Sequence, residues 1–177
     1  MKKWLLFGAF CTLFFSSINA QEKSDAIKWM TFQEAVKQNS ISPRKIFIDM
    51  YTDWCGWCKK LDATTYMDAQ IIEYLNKNYY AVRMNAEMKD TILFDGKLFI
   101  NPEPNKSRST HQIANALLGG KLSYPTLVYL DEKMNMLSQV PGYMTSKDLM
   151  PVLKYFGENY QTKISWEDYQ KSIVNKQ

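Results

Sequence analysis

Residues 45–60 read KIFIDMYTDWCGWCKK, and the choice of fold turns on them. Lys45 to Tyr51 is a near-continuous apolar run, the pattern of a central strand covered on both faces. Lys59 to Ala63 continues as helix, so Cys55 falls where strand gives way to helix and Cys58 lies about one turn further along the same face. A thiolate attacks a disulfide and a thiol does not. Free backbone N–H groups and the positive end of the helix dipole favour the charged form of Cys55 at that junction. Cys58 is then placed to attack a mixed disulfide and release its partner.

Working outward, the Thr64-Thr65-Tyr66 stretch weakens the helix, and Asp68 is expected to cap a second piece with Ile71, Ile72 and Leu75 at helical spacing. Tyr79 to Met84 is the next strand. Strand, helix, strand in succession is a βαβ unit, with parallel strands and a right-handed crossover. Upstream, Thr31-Phe32-Gln33-Glu34 is a capping box that opens a short amphipathic helix, and Pro43 stops it. Downstream, Asp95-Gly96 sits between apolar residues in Thr91 to Ile100 and signals a hairpin. Ser109 or Thr110 is expected to cap a helix whose inner stripe is Ile113, Ala114, Leu117 and Leu118, ended by Gly119-Gly120. Thr126 to Leu130 and Met136 to Val140 form two strands around the turn Asp131 to Asn135. Helices are expected at Ser146 to Phe156 and at about Ser165 to Val174, the last packing Trp166, Tyr169 and Ile173 back on the domain.

Of the 177 residues, 46% are hydrophobic and 23% charged, which supports one packed core and excludes a disordered tail. Lys and Arg number 22 against 18 Asp and Glu, too small an excess for a nucleic-acid binder. The first twenty residues, MKKWLLFGAFCTLFFSSINA, have two lysines, an apolar run from Trp4 to Phe15, and small or polar residues up to Ala20. That is the layout of a secretory signal peptide, too short to span a bilayer. Cleavage is expected after Ala20, which removes Cys11 and leaves an exported or periplasmic protein with no stable membrane insertion. An uncleaved anchor is the competing reading, because Ile18 is bulkier than the small residue favoured there.

What remains has two cysteines, Cys55 and Cys58. An exported protein with a single close pair is not using disulfides as a scaffold, so the pair is the chemistry. As half of a zinc site it would need two more ligands, and the only histidine is His111, so no metal and no cofactor is expected. His111 itself reads as a solvated first-turn residue. Asp49 is an acid inside an apolar strand, a costly placement unless it faces water at the strand end.

The stretch IFIDMYTDWCGWCKK, with SYPTLVYLDE at residues 123–132 and Pro141-Gly142, resembles the thioredoxin superfamily. More narrowly it is similar to the exported thioredoxin-like proteins related to the C-terminal domain of periplasmic disulfide-interchange proteins. The resemblance covers about Ile27 to Phe156. It implies an α/β, thioredoxin-like fold: a central mixed β-sheet flanked by helices, with an insertion at 87–120 before the cis-proline strand and an extra C-terminal helix in the extension 157–177. The mature chain, 21–177, would be one domain. The resemblance makes Cys55–Cys58 the redox disulfide. It makes Asp49 the family's buried acid, whose raised pKa lets it exchange a proton with Cys58. Arg83 falls where many relatives keep a lysine near that acid.

By the same resemblance, Tyr124-Pro125-Thr126 is the cis-proline signature, which puts the Tyr124 backbone beside the sulfurs to pair with an extended substrate. Trp54, Gly56 and Trp57 frame the pair, Trp57 replacing the proline of typical thioredoxins. The implied function is an exported thiol-disulfide oxidoreductase, a reductase, acting as a monomer on cysteine-containing proteins and recharged by an upstream thiol donor. A binding module of the same fold without redox turnover is the alternative. Intact Cys55, Cys58, Asp49 and Pro125 favour the enzyme.

Overall fold

The computed structural model describes residues 25–174, so the expected signal peptide and Cys11 lie outside the described residues. Its centre is the strand expected from the apolar run, β2 (Lys45–Tyr51), buried from Lys45 to Met50. It follows β1 (Trp29–Met30) and α1 (Phe32–Ile41). Thr31 caps α1 in a reciprocal capping box with Glu34, as the sequence requires. After β2 come α2 (Gly56–Ala63), a 3₁₀ turn (Thr65–Met67), α3 (Ala69–Asn78) capped by Asp68, and β3 (Tyr79–Asn85). β2 and β3 pair in parallel from Lys45 opposite Tyr79 to Tyr51 opposite Asn85, the βαβ unit in full.

A small hairpin follows, β4 (Ile92–Phe94) and β5 (Lys97–Phe99). Its two turn residues, Asp95 and Gly96, both have left-handed φ values, 49° and 69°, as a tight hairpin turn needs. Then come α4 (Gln112–Leu117), β6 (Thr126–Leu130), β7 (Met136–Pro141), α5 (Ser146–Gly157) and α6 (Trp166–Val174). β2 pairs antiparallel with β6, and the five-stranded order β1-β3-β2-β6-β7 makes a mixed sheet.

The two-residue alternation of the strands sorts their side chains between two cores. Ile46, Ile48 and Met50 join Val82, Met84 and Val128 beneath Phe32 and Ala35 of α1 and Ile113 of α4. Phe47 joins Tyr79, Ala81, Leu127 and Tyr129 on the opposite face, under Leu61 of α2, Leu75 of α3 and Leu153 of α5. Each such fully buried aliphatic or aromatic side chain contributes roughly 1.5–3 kcal/mol. Asp49 shares the second face with Phe47, so the acid is carried into this core beneath α2 and not to a wet strand end. The last helix packs as expected: Tyr169 is buried against Tyr155, and Trp166 and Ile173 are partly buried beside it.

The expectation for His111 is overturned, because its side chain is fully buried. It caps α4 in place of Ser109 or Thr110. Its Nδ1 accepts from the Ile113 N–H at 3.2 Å, which leaves Nε2 to donate to the Asp90 carbonyl at 2.8 Å. Ser109 instead binds the buried side chain of Asn101. Burial lowers the His111 pKa, so the neutral ring is the folded form. Its contribution is therefore complete above the ordinary histidine pKa and is lost as pH falls below it. His111→Ala is expected to cost about 1–3 kcal/mol by orphaning the α4 N-terminus and the Asp90 carbonyl. Thermal unfolding at pH 7.5 checks this, and a variant with an unchanged Tm would refute the assignment.

Candidate active site

Cys55 is the N-cap residue of α2, in the extended conformation that lets a helix begin just after it. Its Sγ accepts a hydrogen bond from the Cys58 N–H at 3.0 Å. That donor is one of the N–H groups a helix cannot satisfy internally, and it points at the sulfur that would carry charge. Cys55 and Cys58 are joined in a disulfide with their Cα atoms 5.3 Å apart, and both residues are largely buried. Among the described residues, no cluster of His, Cys, Asp or Glu could hold a metal ion.

Behind the pair lies a charge arrangement only partly visible in the sequence. Asp49 is fully buried, and neither of its oxygens has a hydrogen-bond partner. Arg83 lies opposite it in the parallel register, with Nε 3.6 Å from Oδ2. The guanidinium donates instead to Asp62 of α2, and its face rests on Tyr51 at 4.6 Å. Arg83 therefore bridges two carboxylates, one buried and one half-buried. Burial raises the Asp49 pKa to about 7, against the pull of the nearby Arg83 charge; Asp62 adds to the rise. The Tyr66 hydroxyl favours the ionised form but completes no hydrogen bond of good geometry.

In front of the pair, the Tyr124–Pro125 peptide is cis, and Pro125 lies directly before β6. A cleft of about 320 Å³ is lined by Trp57, Tyr124, Pro125, Gly142 and Tyr143. Gly142 has φ 99°, and its N–H donates to the Pro125 carbonyl at 2.8 Å, so the turn after β7 closes against the proline. A larger open depression, about 750 Å³, lies between the starts of α3 and α5. The smaller cleft is the one that includes Trp57, the residue between the two cysteines.

Trp54 and Trp57 are both about half exposed, at 50% and 57%. Each is braced. The Trp54 indole N–H donates to Glu87 at 2.8 Å, its ring meets Tyr124 edge-on at 5.8 Å, and the Arg108 guanidinium lies 4.9 Å above it. Trp57 packs on Tyr143 at 5.6 Å, and the Lys60 ammonium sits 4.9 Å from one ring and 5.1 Å from the other. Gly56 opens α2 between Cys55 and Trp57, and a Cβ there would meet nothing within 4 Å. Of the residues the sequence singles out, Trp57, Tyr124 and Pro125 line one cleft, Trp54 meets Tyr124, and Gly56 lies between Cys55 and Trp57 at the start of α2. It did not point to Asp62, Glu87, Arg108 or Tyr143 as members of the site.

A family model for a thioredoxin-like domain matches residues 32–157. Among solved structures, a thioredoxin-fold protein from Helicobacter pylori superposes with a TM-score of 0.58 at 18% identity, covering 88% of this chain and 91% of that one. A thioredoxin from Thermus thermophilus reaches 0.55 at 14% identity, covering 73% and 85%. A DsbH oxidoreductase reaches 0.54 at 17% identity, covering 77% and 88%. No curated protein matches the chain.

Proposed function

The chain belongs to the thioredoxin-like domain family, and on that premise we propose that it is an exported thiol-disulfide oxidoreductase that reduces disulfides in client proteins. The observation that carries the reading is Cys55 as the cap of α2, its sulfur receiving the Cys58 N–H, on a helix whose Asp62 shares Arg83 with the buried Asp49. In the reduced protein the Cys55 thiolate attacks one sulfur of a client disulfide. A mixed disulfide forms, and the first client thiolate leaves and takes up a proton. Asp49, poised near neutrality, accepts the Cys58 proton. Cys58 then attacks the Cys55 sulfur, closing the intramolecular disulfide and releasing the second client thiolate. Two electrons pass to the client, and a thiol donor upstream restores the pair.

The cis Tyr124–Pro125 segment and the aromatic cleft give the client's extended backbone a place beside the sulfurs. No described helix is long and apolar enough to cross a membrane. Export is supported by the leader-like first twenty residues. Capture with Cys58→Ser tests the function: Cys55 can still attack but nothing resolves the product, so client proteins should accumulate in complexes that dithiothreitol dissolves. Complexes formed equally by the Cys55→Ser, Cys58→Ser double variant would refute it.

The direction of electron flow follows from the residues between the cysteines. Gly56 and Trp57 supply no cation and no side-chain donor except an indole N–H, so nothing there stabilises the reduced form as it would in a strong oxidant. Lys59 and Lys60 favour the thiolate and Asp53 opposes them. Equilibration with a glutathione series should place the potential nearer about −270 mV than about −120 mV, and a value above roughly −160 mV would rule out the reductase direction.

A further inference from the structure

Two aromatic walls, Trp54 with Tyr124 and Trp57 with Tyr143, border the cleft at Pro125, each carrying a cation held by ring faces and not by a carboxylate. On one side Arg108 stacks on Trp54, the residue before Cys55, and Trp54 in turn meets Tyr124. On the other, Lys60 stacks on both Trp57, between the cysteines, and Tyr143. Among the described residues neither cation takes part in an ion pair.

The first wall is built by the insertion. The Asn101 carboxamide donates to the carbonyls of Glu87 at 3.4 Å, Met88 at 3.2 Å and Ser109 at 2.8 Å, and the His111 N–H donates to Ala86 at 2.8 Å. The two ends of residues 87–109 are thereby tied together, which places Glu87 at the indole edge of Trp54 and Arg108 on its face. Of the carboxylates beside the mouth, Glu87 is engaged by the indole and Asp53 stands exposed, against the exposed cations Lys59, Lys60 and Arg108. A cation stacked on a ring keeps its outer N–H groups for another acceptor.

We propose that these two cationic aromatic walls select extended client segments bearing acidic side chains on both flanks of the reacting cysteine. The selectivity rests on the oxidoreductase reading. A client strand laid against Tyr124 and Pro125 passes between the walls, so a carboxylate upstream of its cysteine meets one cation and a carboxylate downstream meets the other. Insertion and helix α2 thus share the recognition, which gives residues 87–109 a role at the site.

The test uses three disulfide-linked peptide dimers of the same apolar sequence, the single cysteine flanked on both sides by Glu, Gln or Lys. Pre-reduced protein converts each dimer to two thiols in a single turnover while closing its own disulfide. Rates are normalised to those with dithiothreitol, so that intrinsic disulfide reactivity cancels. At low ionic strength the Glu dimer should react about tenfold faster than the Lys dimer, with Gln between, and about 0.5 M salt should compress the range. The double variant Lys60→Gln, Arg108→Gln should bring the three within about twofold of one another, mainly by slowing the Glu dimer. Equal rates for the three dimers with the parent protein, a preference for Lys, or a double variant that slows all three by one common factor would overturn the selectivity. No reaction with the Gln dimer would overturn the oxidoreductase reading itself.

Discussion

Cys55→Ser should lower disulfide reduction on the order of 10³-fold or more, because the remaining thiol, Cys58, is buried within α2 and poorly placed to attack a client disulfide. The size of the effect follows from position. Cys55 is the residue whose sulfur receives a helix N-terminal N–H, so its thiolate gains both a hydrogen bond and the favourable end of the α2 dipole. Cys58, inside the helix, receives no such hydrogen bond among the described residues, and on the proposed mechanism it resolves the intermediate. Alkylation of the reduced protein at neutral pH reports the difference directly: Cys55 should be labelled first. Faster labelling of Cys58 would reverse the two roles, and a Cys55→Ser protein that still turned over would remove the pair from the mechanism.

On the proposed mechanism, in which Asp49 accepts the Cys58 proton, Asp49→Asn should slow turnover at least tenfold at pH 7 and at the same time stabilise the fold at alkaline pH. An acid whose pKa rises from 3.8 unfolded to about 7 folded binds more protons in the folded state between those values. Its contribution is complete below the unfolded pKa and is lost as pH rises through 7, a difference of roughly 4 kcal/mol in the parent protein. The stability advantage of Asp49→Asn is therefore largest above pH 8 and shrinks toward pH 4. Urea unfolding at the two pH values measures it. A variant less stable than the parent at pH 8 would mean that the ion pair with Arg83 accommodates the carboxylate well, although neither of its oxygens accepts a hydrogen bond.

The elements legible in the sequence are those with local signals. The apolar run Lys45 to Tyr51, the Thr31 to Glu34 capping box, Asp68 before α3 and the Asp95-Gly96 turn each carry their cause within a few residues, and each stands where expected. β1 was not legible, because Trp29 and Met30 are too few to show a period and become a strand only by pairing with Ala81 and Val82. The capping role of His111 is not legible in the sequence, because it depends on the Asp90 carbonyl, 21 residues away, which takes the Nε2 proton and leaves Nδ1 free to accept.

The site divides in the same way. Cys55 and Cys58 are marked by their spacing and Asp49 by its place in an apolar strand, while the Tyr124–Pro125 pair is marked only by the resemblance to the thioredoxin superfamily. The tether from Arg83 to Asp62 spans 21 residues, and the contacts of Trp54 with Glu87 and Arg108 come from a distant insertion. In sequence, Asp62 looks like one more charge on a solvated helix, and Arg108 like a loop cation. Packing alone brings them to the active site.

Reduction of insulin disulfides with dithiothreitol as the electron source tests the central claim most directly. Catalytic amounts of the protein should accelerate precipitation of the freed insulin chain well above the dithiothreitol background, and the Cys55→Ser variant should return the rate to that background. A parent protein no faster than dithiothreitol alone, although its Cys55–Cys58 pair is shown to be reduced, would contradict the account and leave a thioredoxin fold that binds without turning over.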